Sequence, residues 1–477
     1  MRRKKYGLIG HPLGHSLSPY IHKRIMEETG ISGDYQLYEI EKEELPEIVP
    51  VLLKELDGFN CTIPYKTEII PYLDDQDKIS KKYGAVNTVY MRRGYNTDQK
   101  GFLSAVPSMH NKRVLILGAG GVSRMMAFEA LEQGAELYIC ARNDEKRNQL
   151  VCELNNELSR FTQNQADMID TQSGSKVGRN LKNAVHMKSR KIISVQTESE
   201  LPEVDFEILL NGTPLGMWPN INAIPASAGL FRKGQYLFDT IYNPASTKWM
   251  LQGNRAGIRT QSGLKMLLLQ AVEAQKIWNP EQAIDINRML SILPELSEKV
   301  LKLFPVKYVF TGFMGAGKTA VTKALSRKLD LPSIDLDDEI VKERGCSIPE
   351  IFRRDGEAEF RKIEVQVLEN ILERPGAALI ALGGGALMQE AIRQLLDTKQ
   401  TVNIYLHASM ECIWKRIENS TTRPMLGTDS GDTRFMKAAR LFETRLPIYE
   451  KYCDAVLDAD QEPAAVVEEA VRAMGLT

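Results

Sequence analysis

The feature that most restricts how this chain can fold is a glycine-rich loop at residues 312–319, GFMGAGKT. It fits the pattern GxxxxGK[ST] and lies directly between the apolar run KYVF and the amphipathic stretch TAVTKALSRKL. In that setting the loop backbone at Gly315 and Gly317 and the following helix N-terminus cradle phosphate, Lys318 reaches the β and γ oxygens, and the Thr319 hydroxyl ligates magnesium. Because the motif requires a strand before it and a helix after it, it predicts an α/β domain that binds ATP and Mg²⁺.

A different glycine-rich turn, LGAGGVSR, occupies residues 117–124. It follows the strand-like run RVLIL and opens a helical stretch, so Gly118, Gly120 and Gly121 are expected to contact a dinucleotide. The next strand, ELYIC, ends in Ala141-Arg142-Asn143, and an arginine there accommodates a 2′-phosphate. Arg142 and Asn143 therefore favour NADP over NAD. Nearby acidic residues weaken that preference and basic ones strengthen it, namely Asp144, Glu145, Lys146 and Arg147.

The order of elements indicates an α/β protein with parallel sheets, because strand-like runs alternate with helical stretches around both turns. A length of 477 residues suggests two to four domains. The proline-bounded stretch 279–305 predicts the main boundary near 290–305. Residues from about 160 to 200 are polar and are interpreted as a surface excursion, with a basic docking patch as the alternative.

Charge and cysteine usage exclude several classes of protein. The 61 basic and 62 acidic side chains give a formal charge of −1, so no bulk field attracts nucleic acid or lipid. No apolar run has the length of a membrane span, and the run after the basic start is too short for a signal peptide. The six cysteines and six histidines show no metal-ligand spacing. We therefore expect a cytoplasmic protein with small-molecule substrates, reduced thiols and no metal cage made of protein ligands alone.

Acidic and basic residues downstream of the phosphate loop predict an acceptor site. Asp335 and Asp337 alternate in SIDLDDEI and are expected to point to opposite sides of an extended segment, one toward the metal and one toward an acceptor hydroxyl. The alternative, an acidic helix cap, fits Asp338 better than Asp335. Arginines and glycines follow in the motifs EFRKIE, LGGGAL, TTRPML and ETRLPIY, which supply Arg361, Gly383, Gly384, Gly385, Arg423 and Arg445.

With these motifs, residues 306–477 resemble shikimate kinase. The resemblance implies that Asp335 lies near magnesium and that Asp337 binds the acceptor diol and helps to activate its hydroxyl. It also implies that Arg361 and Arg445 hold the substrate carboxylate. The triple glycine would let backbone amides approach the ring, and Arg423 would lie in a lid that closes over the phosphates. Forked guanidinium groups suit a carboxylate, and phosphoryl transfer depends on charge stabilisation and exclusion of water.

The amino-terminal motifs GHPLGHSLSPYIH, FNCTIPYK, GAVNT, YNTDQKG and GLKMLLLQA resemble those of shikimate dehydrogenase in order and spacing. The resemblance implies that Ser16 and Ser18 bind the substrate carboxylate and that Lys66 and Asp98 form the catalytic pair. It implies further contacts to the substrate from Thr62, Asn87, Asp98, Tyr242 and Gln270, and to the cofactor from NGTPLGM at residues 211–217, from Gly263 and from Met266. Gln99 departs from the usual NTDG and leaves Asp98 intact. His11 and His15 are assigned structural roles.

Together these resemblances predict two enzymes in one chain. A two-lobed dehydrogenase would occupy residues 1–290, with a substrate lobe (1–103 plus 264–290) and a Rossmann-like NADP-binding lobe (104–263). A linker (291–305) and a P-loop kinase domain with a parallel sheet (306–477) would follow. NADPH would reduce 3-dehydroshikimate to shikimate, and ATP would phosphorylate shikimate. The alternatives are an NAD-dependent quinate or shikimate dehydrogenase in the first half, or one half that is a regulatory pseudoenzyme. The oligomeric state is left open.

Overall fold

The structure is a computed structural model that describes residues 2–14, 16–170, 192–418 and 432–476. Its contacts divide the chain into two compact units. The first unit comprises Met1–Pro214, Pro225–Tyr242 and Gly257–Leu296. The second unit comprises Leu215–Ile224, Asn243–Ala256 and Ser297–Thr477. Two short segments from the region predicted as the NADP-binding lobe thus belong to the second unit.

The first unit begins with a mixed sheet in the strand order β2-β1-β3-β5-β6-β4. Its strands and their helices are β1 (Lys4–Gly10), α1 (Ser18–Thr29), β2 (Gly33–Glu39), α2 (Leu45–Glu55), β3 (Gly58–Cys61), β4 (Asp75–Gln76), α3 (Lys78–Tyr83), β5 (Thr88–Tyr90), β6 (Arg93–Tyr95) and α4 (Asp98–Ala105). β1 pairs in parallel with β2 and β3, whereas β5 is antiparallel to both β3 and β6. Consequently β5 begins, and β6 ends, at the edge of the sheet where β1 and β3 end.

A second, wholly parallel sheet of the same unit has the order β12-β11-β10-β7-β8-β9. Its region of the chain contains β7 (Arg113–Leu117), α5 (Gly121–Gln133), β8 (Glu136–Cys140), α6 (Asp144–Asp170), β9 (Ile192–Val195), β10 (Ile208–Asn211), β11 (Tyr236–Asp239), α7 (Lys248–Arg255) and β12 (Arg259–Ser262). The predicted Rossmann-like sheet is therefore present. Within the stretch 160–200, predicted as a surface excursion, α6 continues to Asp170 and Ile192–Val195 form the edge strand β9; residues 171–191 lie outside the described residues.

Helix α8 (Leu264–Trp278) returns the chain to the first sheet and packs against α4. Close approach of the two helices depends on Gly101, because a Cβ at that position would lie 2.7 Å from the Met266 carbonyl oxygen. The indole of Trp278 donates a hydrogen bond to the carbonyl of Val89 in β5. Helix α8 is thereby fixed beside the strands that lead to Asp98.

The second unit contains a parallel sheet in the order β14-β15-β13-β16-β17. The remaining elements are α9 (Ile286–Leu290), α10 (Leu293–Leu303), β13 (Lys307–Thr311), α11 (Lys318–Leu329), β14 (Ser333–Asp335), α12 (Leu336–Arg344), α13 (Ile348–Glu373), β15 (Ala378–Ala381), α14 (Glu390–Thr398), β16 (Thr401–His407), α15 (Met410–Ile417), α16 (Asp432–Lys451), β17 (Ala455–Asp458) and α17 (Pro463–Ala473). The strand before the phosphate loop is central and fully buried. Residues 291–305, predicted as a linker, contain α10.

All six cysteines are free thiols. In the part of the chain that the structure describes, no helix combines the length and the apolar character needed to cross a bilayer. Within the same described ranges, no group of three or more His, Cys, Asp or Glu side chains is arranged to hold a metal ion.

Candidate active sites

A lysine–aspartate ion pair lies at the edge of the first sheet where β1 and β3 end. Lys66 follows β3 through the turn Thr62–Tyr65, and Asp98 begins α4 just after β6. The Lys66 Nζ donates to the Asp98 Oδ2 over 2.6 Å, with side chains 29% and 18% exposed. The pair is thus partly exposed. The structure brings together these two residues, which lie 32 positions apart in the sequence.

The other oxygen of Asp98 is held by the amide of Asn87, whose Nδ2 donates to Asp98 Oδ1 over 2.9 Å. Asn87 also accepts a hydrogen bond from the backbone N–H of Thr97. The Gln270 side chain on α8 lies 3.5 Å from the Thr97 hydroxyl and donates to the carbonyl of Leu267. Asn87 and Gln270, predicted to bind ring hydroxyls, therefore both flank Thr97, which the sequence analysis did not select.

A second polar group lies at the same sheet edge, near the predicted carboxylate-binding serines. Ser18 donates its N–H to the Ser16 hydroxyl and shares a side-chain hydrogen bond with Tyr35. Tyr35 in turn donates to Asn60 over 2.8 Å, and Asn60 donates to the carbonyl of Asn87. Sequence analysis missed Tyr35 and Asn60 as site residues. Asn60 lies inside the quoted motif FNCTIPYK, whereas nothing around Tyr35 marks it.

The loop after β11 and the start of α8 meet at Gly263. A Cβ there would collide with the Thr240 carbonyl oxygen, so only glycine allows this approach. Burial raises the pKa of the neighbouring Tyr242 above its usual value, which keeps the phenol protonated. Met266 is 9% exposed and packs into the core around the parallel sheet. Its predicted contact with the cofactor remains a prediction.

The dinucleotide-type turn follows the central strand β7. Gly118 has a φ of +101°, a left-handed conformation that favours glycine, and a Cβ there would lie 3.0 Å from the Ser123 hydroxyl oxygen. Positions Gly120 and Gly121 have open space around their Cα atoms, at the N-terminus of α5. The turn therefore leaves room for a diphosphate against backbone N–H groups, and these residues fit a dinucleotide.

Basic residues after β8 differ in whether they are already paired. Arg147 donates to the Ala141 carbonyl and forms an ion pair with Asp144 over 2.6 Å. Asn143 is occupied in capping α6, where its Oδ1 accepts the N–H of Lys146. Arg142 is exposed and forms no ion pair within the described residues. Of the two arginines, Arg142 is therefore the one available to a 2′-phosphate.

The phosphate loop has the conformation that its glycines predict. Gly312, Gly315 and Gly317 all have positive φ, and a Cβ at Gly315 would lie 2.7 Å from Ile417. Lys318 Nζ donates to the carbonyls of Gly312 and Phe313, so it curls over its own loop. Thr319 donates its hydroxyl to Asp335 Oδ2 over 2.5 Å. A hydroxyl and a carboxylate in contact beside the loop fit a magnesium ion that also binds nucleotide phosphates.

The expectation that Asp335 and Asp337 alternate along an extended segment is wrong. Asp335 ends β14 and caps α12, where its Oδ1 accepts the N–H of Asp337 over 3.0 Å. Asp337 lies in the first turn of that helix. The cap is therefore Asp335 and not Asp338, because the strand ends at Asp335, two residues before the end of the extended segment that the alternation implies. The two carboxylates are nevertheless separated, one toward Thr319 and one toward Gly383.

Two carboxylates and two guanidinium groups lie around the triple glycine Gly383–Gly385, which follows β15. A Cβ at Gly383 would lie 2.8 Å from Asp337 Oδ1 and 2.9 Å from Glu364 Oε1. A Cβ at Gly385 would lie 3.0 Å from the Arg361 guanidinium and 3.3 Å from that of Arg445. These carboxylates and guanidinium groups therefore lie together around the glycines, with Glu364 in direct contact with Arg361. Such a site suits a molecule that carries both hydroxyl and carboxylate groups.

The backbone of this glycine loop is held from both sides. The carbonyl of Gly384 accepts hydrogen bonds from Arg445, over 2.9 Å, and from the hydroxyl of Tyr449. A Cβ at Gly384 would lie 3.1 Å from the backbone nitrogen of Met314. The loop is therefore packed directly against the phosphate loop. This contact places the cluster of carboxylates and guanidinium groups beside the predicted ATP site.

Glu364 is a site residue that the sequence analysis missed, although it ends the quoted motif EFRKIE. It is 1% exposed, and its Oε2 accepts from Arg361 over 2.7 Å and from Gln389 over 2.6 Å. Burial raises the pKa of the Glu364 carboxyl, and the Arg361 guanidinium opposes that shift. The signal available in the sequence was its position three residues after Arg361 on one helix face. Arg423 and His15 lie outside the described residues.

Comparisons with known proteins match both parts of the chain. Residues 8–89 match the family model for the shikimate dehydrogenase substrate binding domain, and residues 314–475 match that for shikimate kinase. A shikimate dehydrogenase (NADP(+)) from Clostridium beijerinckii is 31% identical over 283 residues, which cover 57% of this chain and 91% of that protein. A second, from Geobacillus kaustophilus, is 32% identical over 303 residues, covering 61% and 98%.

Among solved structures, the chain is similar to a shikimate 5-dehydrogenase from Thermus thermophilus in complex with NADP(H) and shikimate. The identity is 26% and the TM-score is 0.50, over 62% of this chain and 100% of that one. The predicted fold class and the resemblance to the two families are confirmed: a Rossmann-like dehydrogenase fold is followed by a P-loop kinase domain with a parallel sheet.

Proposed function

We propose, from the premise that this chain belongs to the shikimate dehydrogenase family and carries a C-terminal shikimate kinase domain, that it catalyses two consecutive reactions. The chain is a bifunctional enzyme of the shikimate pathway, with oxidoreductase and kinase activities that use NADP and ATP. The first reaction reduces 3-dehydroshikimate to shikimate. The second phosphorylates shikimate on the hydroxyl that the reduction creates.

The observation that carries the first reaction is the contact between Lys66 and Asp98, whose atoms lie 2.6 Å apart. NADPH, when bound at the Gly118–Gly121 turn, supplies a hydride to the ketone carbon. The Lys66 ammonium would donate a hydrogen bond and then a proton to the ketone oxygen as negative charge develops there. Asp98 would keep Lys66 charged and oriented. Asn87, which donates to the second oxygen of Asp98, would fix the carboxylate.

The observation that carries the second reaction is the cluster of Asp337, Glu364, Arg361 and Arg445 around Gly383–Gly385. Arg361 and Arg445 would hold the shikimate carboxylate by bidentate hydrogen bonds. Asp337 would accept a hydrogen bond from the reacting hydroxyl, which makes its oxygen more nucleophilic. Glu364 would hold Arg361 in place, since it is buried and contacts that guanidinium.

Groups at the phosphate loop would stabilise the transferring phosphoryl group. Lys318 would exchange its contacts with the loop carbonyls for contacts with phosphate oxygens, and Thr319 and Asp335 would hold magnesium. We further propose that Arg423 acts from a lid over the phosphates, by the resemblance of its motif TTRPML. At the dinucleotide site, the exposed Arg142 supports a preference for NADP over NAD.

The proposal is tested by mass detection of products after the purified protein is incubated with 3-dehydroshikimate, NADPH and MgATP. We expect shikimate 3-phosphate, and shikimate alone when ATP is omitted. Replacement of NADPH by NADH should slow the first step. Shikimate that accumulates in the presence of MgATP would contradict the kinase assignment. An absence of reaction, followed by turnover when shikimate and MgATP are supplied, would contradict the dehydrogenase assignment alone.

Matched variants assign each reaction to its site. Lys66→Ala should lower the rate of reduction by about 100-fold or more and leave phosphorylation intact. Lys318→Ala should slow phosphorylation and leave reduction intact. The controls are Lys54→Ala and Lys323→Ala, since both lysines are exposed and lie within the same two parts of the chain. A Lys66→Ala protein that reduces 3-dehydroshikimate at the normal rate would remove the basis of the first assignment.

A further inference from the structure

Two segments that lie far from the phosphate loop in the sequence belong to its compact unit. They are residues 215–224 and 243–256, here called the early segments, and they pack in one unit with residues 297–477. We infer that the early segments complete the core of the kinase unit, so that this unit depends for its stability on the chain that precedes it. The surface of residues 297–477 that the early segments cover is therefore occupied by the same chain, and not by a second protein.

Apolar side chains of the early segments enter the core of the kinase unit. Ile221 is 1% exposed and Leu251 is 2% exposed, and both belong to the cluster that contains Val402, Ile404 and Leu406 of β16. Burial to this degree removes both side chains from water, and such burial is the main stabilising term in a core. The early segments therefore contribute to the same core as the central sheet.

A largely buried ion pair adds a polar contact between α7 and the sheet. Lys248 Nζ lies 3.3 Å from Asp454 Oδ2, and the side chains are 13% and 14% exposed. The same carboxylate oxygen accepts the backbone N–H of Asn403 in β16 over 2.7 Å. Burial raises the pKa of the Asp454 carboxyl, and Lys248 opposes that shift. Loss of Lys248 would leave a buried carboxylate without its cation, which is a strongly destabilising change.

The early segments also satisfy carbonyl groups near helix ends. Asn222 Nδ2 donates to the carbonyls of Asp397 and Lys399 at the end of α14, over 2.6 and 3.0 Å. Arg255 donates to the carbonyl of Glu450 near the end of α16 over 2.9 Å. The last carbonyls of a helix have no partner within the helix, so these contacts replace water. Polar, ionic and apolar contacts therefore all point to one built interface.

The backbone packing is equally close at the C-terminus of the kinase unit. Gly475 has a φ of +75°, and a Cβ there would lie 2.8 Å from the carbonyl carbon of Ala245. Only glycine satisfies both the left-handed conformation and this approach. The chain just after α17 is thus shaped to the early segment 243–256, as expected if the two are parts of one folding unit.

The test measures hydrogen exchange by mass spectrometry on the full chain and compares two isoleucines three positions apart. Ile221→Ala removes a buried side chain, whereas Ile224, 39% exposed, provides the matched control Ile224→Ala. We expect Ile221→Ala to accelerate exchange of the slowest amides in β16 and β17 by about 30-fold or more, and Ile224→Ala to leave them unchanged. Lys248→Met should accelerate the same amides.

The outcome that would overturn the inference is an Ile221→Ala protein whose β16 and β17 amides exchange at the normal rate, with any change confined to residues 215–224. If Ile221→Ala does not accumulate, Ile221→Val replaces it, and acceleration of the same amides by about 2- to 10-fold is expected. An unchanged rate in that variant would overturn the inference equally. These rates do not depend on which reactions the two sites catalyse, so the result stands apart from the proposed function.

Discussion

Replacement of Gly101 by alanine tests whether the packing of α4 against α8 sets the geometry of the dehydrogenase site. A Cβ at this position would lie 2.7 Å from the Met266 carbonyl oxygen and 3.1 Å from the Gln270 nitrogen. Both atoms belong to the backbone, so no side-chain rotation relieves the contact. To reach the 3.4 Å of ordinary contact, the helices must separate by about 0.7 Å.

This displacement acts on groups at both sides of the substrate. Asp98 begins α4 and Gln270 lies on α8, so a separation of the helices moves the two predicted substrate contacts apart. A misplacement of about 1 Å can cost about 100-fold in rate, and we expect kcat/KM for reduction to fall about 10- to 100-fold. The free energy of unfolding should fall by less than the cost of overpacking alone, which is about 1–3 kcal/mol. The greater helix propensity of alanine offsets up to about 1 kcal/mol of that cost.

The assay measures reduction and phosphorylation on the same purified protein, so the kinase reaction serves as an internal control. Ser104→Ala, on the exposed side of α4, controls for a new alanine in this helix. A Gly101→Ala protein with normal kcat/KM would refute the reasoning. An equal loss of both activities would also refute it, because it would indicate general unfolding and not a local displacement.

Three further predictions concern single side chains. Lys66→Ala should lower kcat for reduction by about 100-fold or more, measured by NADPH absorbance, because general acid catalysis contributes about 10²–10⁴-fold; a change in KM alone would contradict this role. Gly385→Ala should raise the KM for shikimate in the kinase assay by about 10-fold or more, because its Cβ would enter the space between the two guanidinium groups; an unchanged KM would contradict the assigned carboxylate site. Lys248→Met should lower the Tm of the kinase unit more at pH 8 than at pH 5. Burial already raises the pKa of Asp454, and loss of Lys248, which opposes that shift, raises it further. A carboxyl whose pKa is raised in the folded state destabilises the protein as pH rises through that pKa, so the loss of Tm is larger at pH 8; an equal loss at both pH values would contradict it.

Much of the site was predictable from the sequence because glycines and their neighbours define local backbone geometry. The phosphate loop at residues 312–319 and the turn at 117–124 have the predicted strand before them and helix after them. Lys66 pairs with Asp98 as predicted, whereas the contact of Asn87 with Asp98 was not predicted; their motifs end or begin strands of one sheet. The positions of these motifs along the chain were enough to indicate one site.

Other parts of the site were not predictable, because they depend on contacts between residues distant in the sequence. Tyr35 on β2 reaches Asn60 on β3 across the intervening strand β1, and Glu364 is buried between Arg361 and Gln389. The prediction for Asp335 and Asp337 was wrong because a period of two assumed that the strand continues. In the structure a helix begins between them.

The sequence by itself determined the two nucleotide-binding turns, the α/β class and the pairing of two enzyme families in one chain. These follow from short motifs, whose conformations are set by local backbone sterics and hydrogen bonding. Only the tertiary structure decided that residues 215–224 and 243–256 pack with the kinase unit, and that paired carboxylates and paired guanidinium groups meet at Gly383–Gly385. Burial of apolar area and of ion pairs depends on which distant surfaces fit together, and no local pattern in the sequence carries that information.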